Sequence, residues 1–207
     1  MDYIFFDFNG TLVDDVDLCL DLLNQMLVFC NHKPVDKKKY LDIFTFPVKE
    51  YYIKAGFDCS VDSWDDLASF FVKEYSRLNI NCKLFHDVKE TLFRLKSEGK
   101  HLFVLSASEK SMLLDQLEKY GILEYFDEVL GKDNYYAEGK EILGINFMKK
   151  HNLDRSKCVF VGDTLHDEET SRAMGIKCYL VSRGHQSKEV LNTSNSRVFS
   201  SFEEIEF

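Results

Sequence analysis

Tyr3-Ile4-Phe5-Phe6-Asp7-Phe8-Asn9-Gly10-Thr11-Leu12 is the stretch that decides how this chain is read. Tyr3 to Phe8 is apolar almost throughout, as expected of a strand buried on both faces. It runs into Asp7 and then into a glycine-threonine turn. Desolvating a carboxylate at the end of such a strand is costly. Asp7 therefore points to chemistry or to metal binding.

Outward from that strand the period changes. Val16, Cys19, Leu20, Leu23, Leu27 and Cys30 recur at three- and four-residue steps, an amphipathic helix capped at its start by Asp14 or Asp15. Shorter helices are expected over 37–44 and 48–55, the second closed by Gly56. A longer one follows Ser63, with Leu67, Phe70, Phe71, Glu74 and Tyr75 on its face. No stretch from Asp15 to about Cys82 alternates with period two, so this block reads as all-helical. From Leu84 onward helices and strands alternate, with strands at 101–105, 127–130, 157–161, 177–181 and 198–199. Such alternation implies right-handed crossovers and a parallel sheet with helices on both faces. The expected fold is α/β, a Rossmann-like parallel core formed by 1–14 and 83–207 with a small helical cap, 15–82, inserted after the first strand.

With 207 residues, 45% hydrophobic and 14% aromatic, the chain has enough apolar surface for one sizeable core. A formal net charge of -9 argues against nucleic acid and anionic membranes as partners. An anionic substrate would need a locally positive pocket or a bound cation. Six cysteines lie far apart in sequence, mostly within apolar runs, and read as buried thiols of a reducing compartment. A secretory leader would have to contain Asp7, and no uncharged run reaches membrane-spanning length. A cytoplasmic protein, monomer or homodimer, is expected.

Polar residues of a consistent kind fall at the strand ends, where ligands bind in sheets of this class. They are Asp7 and Asn9; Ser106 in Val104-Leu105-Ser106-Ala107-Ser108; Lys140 in Glu138-Gly139-Lys140; and Asp163 and Asp167 in Val161-Gly162-Asp163-Thr164-Leu165-His166-Asp167. Each type has a part in phosphoryl transfer. A carboxylate attacks phosphorus, a hard dication held by oxygens screens the charges, and a hydroxyl and an ammonium hold the remaining phosphoryl oxygens.

In order and in spacing, these four stretches resemble the motifs of the haloacid dehalogenase superfamily. The first resembles Asp-x-Asp-Gly-Thr-Leu with Asn9 in place of the second Asp. Gly162-Asp163-Thr164 and Ala173-Met174-Gly175 look most like the phosphoglycolate phosphatase-like group. The resemblance implies a Mg²⁺-dependent hydrolase of a small phosphorylated metabolite. Asp7 would be the nucleophile, and Ser106 and Lys140 would bind the phosphoryl group, with Gly10 and Ala107 beside the substrate. Asp7, the backbone carbonyl of Asn9 and Asp163 would hold the metal, with Asp167 direct or through water.

In that family the second Asp protonates the leaving alkoxide and later deprotonates the attacking water, neither of which an amide can do. The missing step is worth about 10²–10⁴-fold in rate. Several outcomes are open. The chain is a slow phosphatase, or one specialised for acyl or aryl phosphates; His166 or His185 replaces the acid; or the protein binds phosphate without turnover. Phosphonoacetaldehyde hydrolase also lacks the second Asp, and there a cap lysine forms a Schiff base, a part open here to Lys49 or Lys54. His86, Tyr51 and Tyr52 are further candidates for substrate contact from the cap side.

Overall fold

The computed structural model describes residues 1–58, 60–132 and 139–207; Cys59 and Glu138 of the sequence reading lie outside them. The chain opens with β1 (Tyr3–Phe6) and a two-residue strand, β2 (Val13–Asp14). Four helices follow: α1 (Val16–Phe29), α2 (Lys37–Ile43), α3 (Val48–Ala55) and α4 (Trp64–Leu78). Next come β3 (Lys83–Leu84), α5 (Val88–Ser97), β4 (His101–Glu109), α6 (Lys110–Lys119), β5 (Glu128–Lys132) and α7 (Lys140–Lys150). The chain closes with β6 (Cys158–Gly162), α8 (Leu165–Met174), β7 (Lys177–Val181), α9 (Lys188–Leu191) and β8 (Arg197–Phe199).

Six strands form one sheet in the order β5-β4-β1-β6-β7-β8, and every neighbouring pair is parallel. The period-two geometry of a strand distributes β1 between two cores. Ile4 and Phe6 point to one face, packed with Leu102, Val104, Val159 and Val161 under Val88, Leu92 and Leu95 of α5 and Leu113 and Leu117 of α6. Phe5 points to the other, with Phe103, Leu105 and Phe160 under Phe147 and Met148 of α7 and Met174 of α8. Burial on both faces is why β1 reads as a continuous apolar run. Helices α1 to α4 bury a third cluster of their own, built from Val16, Leu22, Leu23, Met26, Leu27, Tyr40, Tyr51, Tyr52, Leu67 and Tyr75.

Several local expectations are corrected. The strand expected to stop at Leu105 continues to Glu109, because a register shift lets Glu109 pair with Lys132 of β5. The two crossings between sheet and helices are tied by an antiparallel pair, Val13 with Leu84 and Asp14 with Lys83, too short to show a period in sequence. The α9 turn also escaped, being only four residues long. Phe70, placed on the buried face of α4, is 37% exposed. Asp15 occupies the N-cap position of α1 but makes no capping bond. Its carboxylate is turned toward the sheet instead.

Candidate active site

β1 is central, and strand order runs away from it in both directions, so the carboxyl ends of β1, β4 and β6 open on a common crevice, the usual ligand position in open α/β sheets. Asp7 follows β1 directly, its N–H donating to the Val161 carbonyl at 2.9 Å. The loop then turns tightly. Gly10 has φ +71°, and a Cβ there would lie 2.3 Å from Asp163 Oδ2 and 2.6 Å from His185 Cδ2. Only glycine lets this backbone pass so close to Asp163. Gly184 does the same from the β7 side, where a Cβ would lie 2.1 Å from Asp163 Oδ2.

Asp163 follows β6 and is held by two donors, Thr11 Oγ1 at 3.0 Å and the His185 N–H at 2.6 Å. Asp167 completes a capping box at the start of α8. Its Oδ2 accepts from the N–H of Asp163 (3.1 Å), the N–H of Thr164 (2.9 Å) and Thr164 Oγ1 (2.7 Å). Lys140, the first residue of α7, donates from Nζ to Asp7 Oδ1 at 2.9 Å and to Asp167 Oδ1. The Ser108 N–H donates to Ser106 Oγ at 3.2 Å, and the Ser108 hydroxyl donates to Asn9 Oδ1 at 3.2 Å, tying the end of β4 to the loop after β1.

Asp7, Asp163 and Asp167 are all buried, and each offers an oxygen within 4.8 Å of the other two. Three carboxylates face one ammonium. Burial pushes the Asp7 carboxyl well up, against the pull of Lys140 and reinforced by Asp167 and Asp163. Burial likewise raises Asp163, opposed by His185. At Asp167 burial is outweighed by Lys140, and that carboxyl is lowered. Two of three carboxyls that resist ionisation mark a local deficit of positive charge. A hard dication with oxygen ligands answers that deficit, so the donor set suits Mg²⁺.

Beside this cluster lies a second buried network with no counterpart in the sequence reading. The Asp15 carboxylate accepts from the Asn9 amide (2.8 Å), Tyr75 OH (2.8 Å), the Gly10 N–H (2.9 Å) and the His185 ring, whose Nε2 is 3.2 Å away. Asn9 Nδ2 also reaches Tyr75 OH, and His185 Nδ1 lies 2.8 Å from Tyr40 OH. Burial opposes the His185 charge, but Asp15 more than offsets it and raises the imidazole to about 9. Burial is likewise overridden at Asp15, chiefly by His185, and its pKa is lowered. The result is a buried ion pair linking the start of α1 to the loop after β7, with Tyr40 of α2 and Tyr75 of α4 hydrogen-bonded to it.

The structure thus brings together Asp7, Asn9, Gly10, Lys140, Asp163 and Asp167, with Ser106 buried at the same sheet edge and Ala107 exposed beside it. His185 is drawn in, but both ring nitrogens have partners. His166 stands at the edge, 3.5 Å from Glu169 and with its ring 4.7 Å from that of Phe46. His86 is a surface residue near Glu203, Lys49 and Lys54 are exposed on α3, and Tyr51 and Tyr52 belong to the helical core. Asp15, Tyr40, Tyr75 and Thr11 were missed. Asn9 and His185 stood out in the sequence separately, whereas Asp15, an extra acidic residue after the first motif, was absorbed by a helix-cap role.

Among the described residues no helix is long and apolar enough to cross a membrane. Residues 4–181 match the family model of the haloacid dehalogenase-like hydrolases. Phosphoglycolate phosphatase of Vibrio parahaemolyticus is 24% identical over 213 residues, covering 93% of this chain and 88% of that protein. The enzyme of the same name from Aliivibrio fischeri is 27% identical over a shorter stretch, 56% of this chain and 52% of the relative. Among solved structures, a haloacid dehalogenase-like hydrolase of Streptococcus pneumoniae superposes with TM-score 0.78 at 20% identity, covering 96% of this chain and 92% of that one. Protein tyrosine kinase A of Mycobacterium tuberculosis superposes with TM-score 0.80 at 19% identity over 98% and 95% of the two chains. A fold shared by proteins so differently named does not by itself decide the reaction. With its motifs in order around one carboxylate cluster, and a family match over most of its length, this chain belongs to the haloacid dehalogenase-like hydrolases.

Proposed function

We propose that the protein is a Mg²⁺-dependent phosphatase of small phosphorylated metabolites, working through an aspartyl phosphate on Asp7. The observation that carries this is Asp7 itself, a buried carboxylate at the end of the central strand, 2.9 Å from Lys140 and grouped with Asp163 and Asp167. Mg²⁺ held by Asp7, the Asn9 carbonyl, Asp163 and Asp167 would supply charge neutralisation, without which the nucleophile and the phosphate repel each other. Lys140 and Ser106 bind the phosphoryl oxygens, and in the free protein Lys140 keeps Asp7 and Asp167 in place. Gly10 and Ala107 line the entry to the same site.

Residues 15–82 act as a helical cap on a core formed by 1–14 and 83–207. What supports this division is the separate apolar cluster of α1 to α4 and the polar ties that join it to the core, Tyr40 and Asp15 to His185, Asp15 and Tyr75 to Asn9, and the Phe44 carbonyl to Gln186. Opening would admit substrate, and closure would exclude water. The relatives' named activity makes phosphoglycolate a natural first substrate to try.

The test is phosphate release with Mg²⁺ across acyl, aryl and alkyl phosphates, phosphoglycolate included, for the natural protein and for Asp7→Asn. Release that stops with EDTA and in Asp7→Asn is expected. Turnover surviving in Asp7→Asn would remove Asp7 as nucleophile. Tight phosphate binding with no turnover of any class would leave a binding protein in place of an enzyme.

A further inference from the structure

Resting on the phosphatase reading, we propose that the substrate is a small aryl phosphate, a phosphate ester whose leaving group is a phenol. Two independent features lead there. The first is that, among the described residues, the groups around the family's acid position have no proton free for the leaving oxygen. At the family's acid position stands Asn9, whose side-chain Nδ2 donates to Asp15 and Tyr75 and whose Oδ1 accepts from Ser108. Tyr75 spends its own proton on Asp15. His185 has Asp15 at one ring nitrogen and Tyr40 at the other. A leaving group must therefore depart as an anion. A phenol ionises near 10, as in tyrosine, whereas bulk water, the yardstick for an aliphatic alcohol, ionises at about 15.7.

The second feature is the wall that faces the carboxyl ends of β6 and β7. The segment joining α2 to α3 lays Phe44 over His185, with ring centroids 4.8 Å apart and planes within 23°, and Phe46 over His166 at 4.7 Å. Phe44 and Phe46 meet edge-on at 5.6 Å, and Gln186 Nε2 anchors the segment through the Phe44 carbonyl at 2.7 Å. Phe46 still keeps 36% of its surface exposed. A flat ring is the group that such a wall recognises.

Charge agrees with this. Among the described residues, the two buried cations at the site are committed: Lys140 to Asp7 and Asp167, and His185 to Asp15. A substrate carboxylate, such as that of phosphoglycolate, would have to displace one of these pairs. A neutral ring displaces none.

The step balances without an acid. An Asp7 oxygen forms a bond to phosphorus while the bond from phosphorus to the phenolic oxygen breaks. The phenolate leaves with the electron pair and is protonated by solvent after release. Water then attacks the aspartyl phosphate, returning the Asp7 carboxylate and inorganic phosphate, with the surplus proton passing to solvent.

Two measurements test the proposal. The first is kcat/KM for substituted phenyl phosphates of graded leaving-group pKa, glycerol phosphate and phosphoglycolate, in the natural protein and in Phe46→Ala. Phenyl phosphates should exceed the alkyl esters by about 10²–10⁴-fold, the size of the missing acid-base step, with a rate that falls steadily as the leaving-group pKa rises. Phe46→Ala should raise KM for phenyl phosphates about two- to tenfold, the worth of one ring contact. A flat leaving-group dependence or a preference for phosphoglycolate overturns the proposal. So does faster turnover of a phosphotyrosine peptide than of free phosphotyrosine, since the substrate is then not small. The second measurement is calorimetric binding, with Mg²⁺, of phenylphosphonate against inorganic phosphate and phosphonoacetate. It does not depend on turnover. Tighter binding of phenylphosphonate is expected even if the phosphatase reading fails, and equal affinities, or a preference for phosphonoacetate, overturn ring recognition in an otherwise working enzyme.

Discussion

Asn9→Asp is the substitution that sequence comparison invites, and Asp15 changes what it should do. A carboxylate at position 9 would bring an oxygen to where the amide nitrogen now lies 2.8 Å from Asp15 Oδ2. Two unit charges at that distance repel by about 6 kcal/mol at an effective dielectric constant of 20. Keeping one carboxyl protonated at pH 7, when it would ionise near 3.9 in the unfolded chain, costs about 4 kcal/mol. Protonation is the cheaper route, so the pair should share a proton. This carboxyl's folded pKa is raised, so the penalty is small near pH 4 and grows by about 1.4 kcal/mol per unit as pH rises. Urea unfolding of metal-free Asn9→Asp at pH 5 and 7.5 should therefore show a deficit of about 1.5 kcal/mol at the lower pH and about 5 kcal/mol at the higher. Asn9→Asp combined with Asp15→Asn should lose this pH-dependent part. In turnover of alkyl phosphates the double variant should gain about 10²–10⁴-fold, and the single variant less. A single variant as stable as the natural protein at pH 7.5, or one matching the double variant in both assays, would refute the coupling.

Other consequences follow from the same geometry. Lys140→Met leaves Asp7 and Asp167 buried without their cation and should cost about 3–5 kcal/mol in chemical unfolding; Mg²⁺ should recover part of that loss. Adding Mg²⁺ to the natural protein at about 100 times its Kd should stabilise it by about 2.7 kcal/mol, a gain that should shrink sharply in Asp163→Asn, whereas EDTA should stop turnover. In metal-free protein His185 contributes stability that is fully present below its usual 6.5 and is lost as pH rises through about 9. That loss should be on the order of 3 kcal/mol in urea unfolding between pH 6 and 10, and His185→Gln should flatten it.

The residues of the carboxylate site were legible because each lies at a junction where hydrophobic periodicity stops. Strand ends of a parallel sheet converge, so order along the chain is enough to foresee that Asp7, Asp163 and Asp167 cluster, with Lys140 at the start of α7 between Asp7 and Asp167. The fold class was legible for the same reason, since α/β alternation admits few right-handed topologies. Burial of β1 on both faces could be read from Tyr3 to Phe8 alone.

Asp15 could not be placed in this way. A carboxylate at a helix start has an ordinary use as a cap, and nothing local shows that its partners will be Asn9, Tyr75 and His185, the last 170 positions away. The same holds for Phe44 and Phe46, which in sequence are two aromatics among 18 phenylalanines and in space form a wall over His185 and His166. Sequence determined the longer strands and helices and the cluster at their ends, because those follow from periodicity and from the cost of stranding a charge beside a buried strand. Tertiary structure alone decided which groups surround Asn9 and what covers the site, because contacts across the helical layer are set by how it docks on the sheet and leave no periodic trace in the chain.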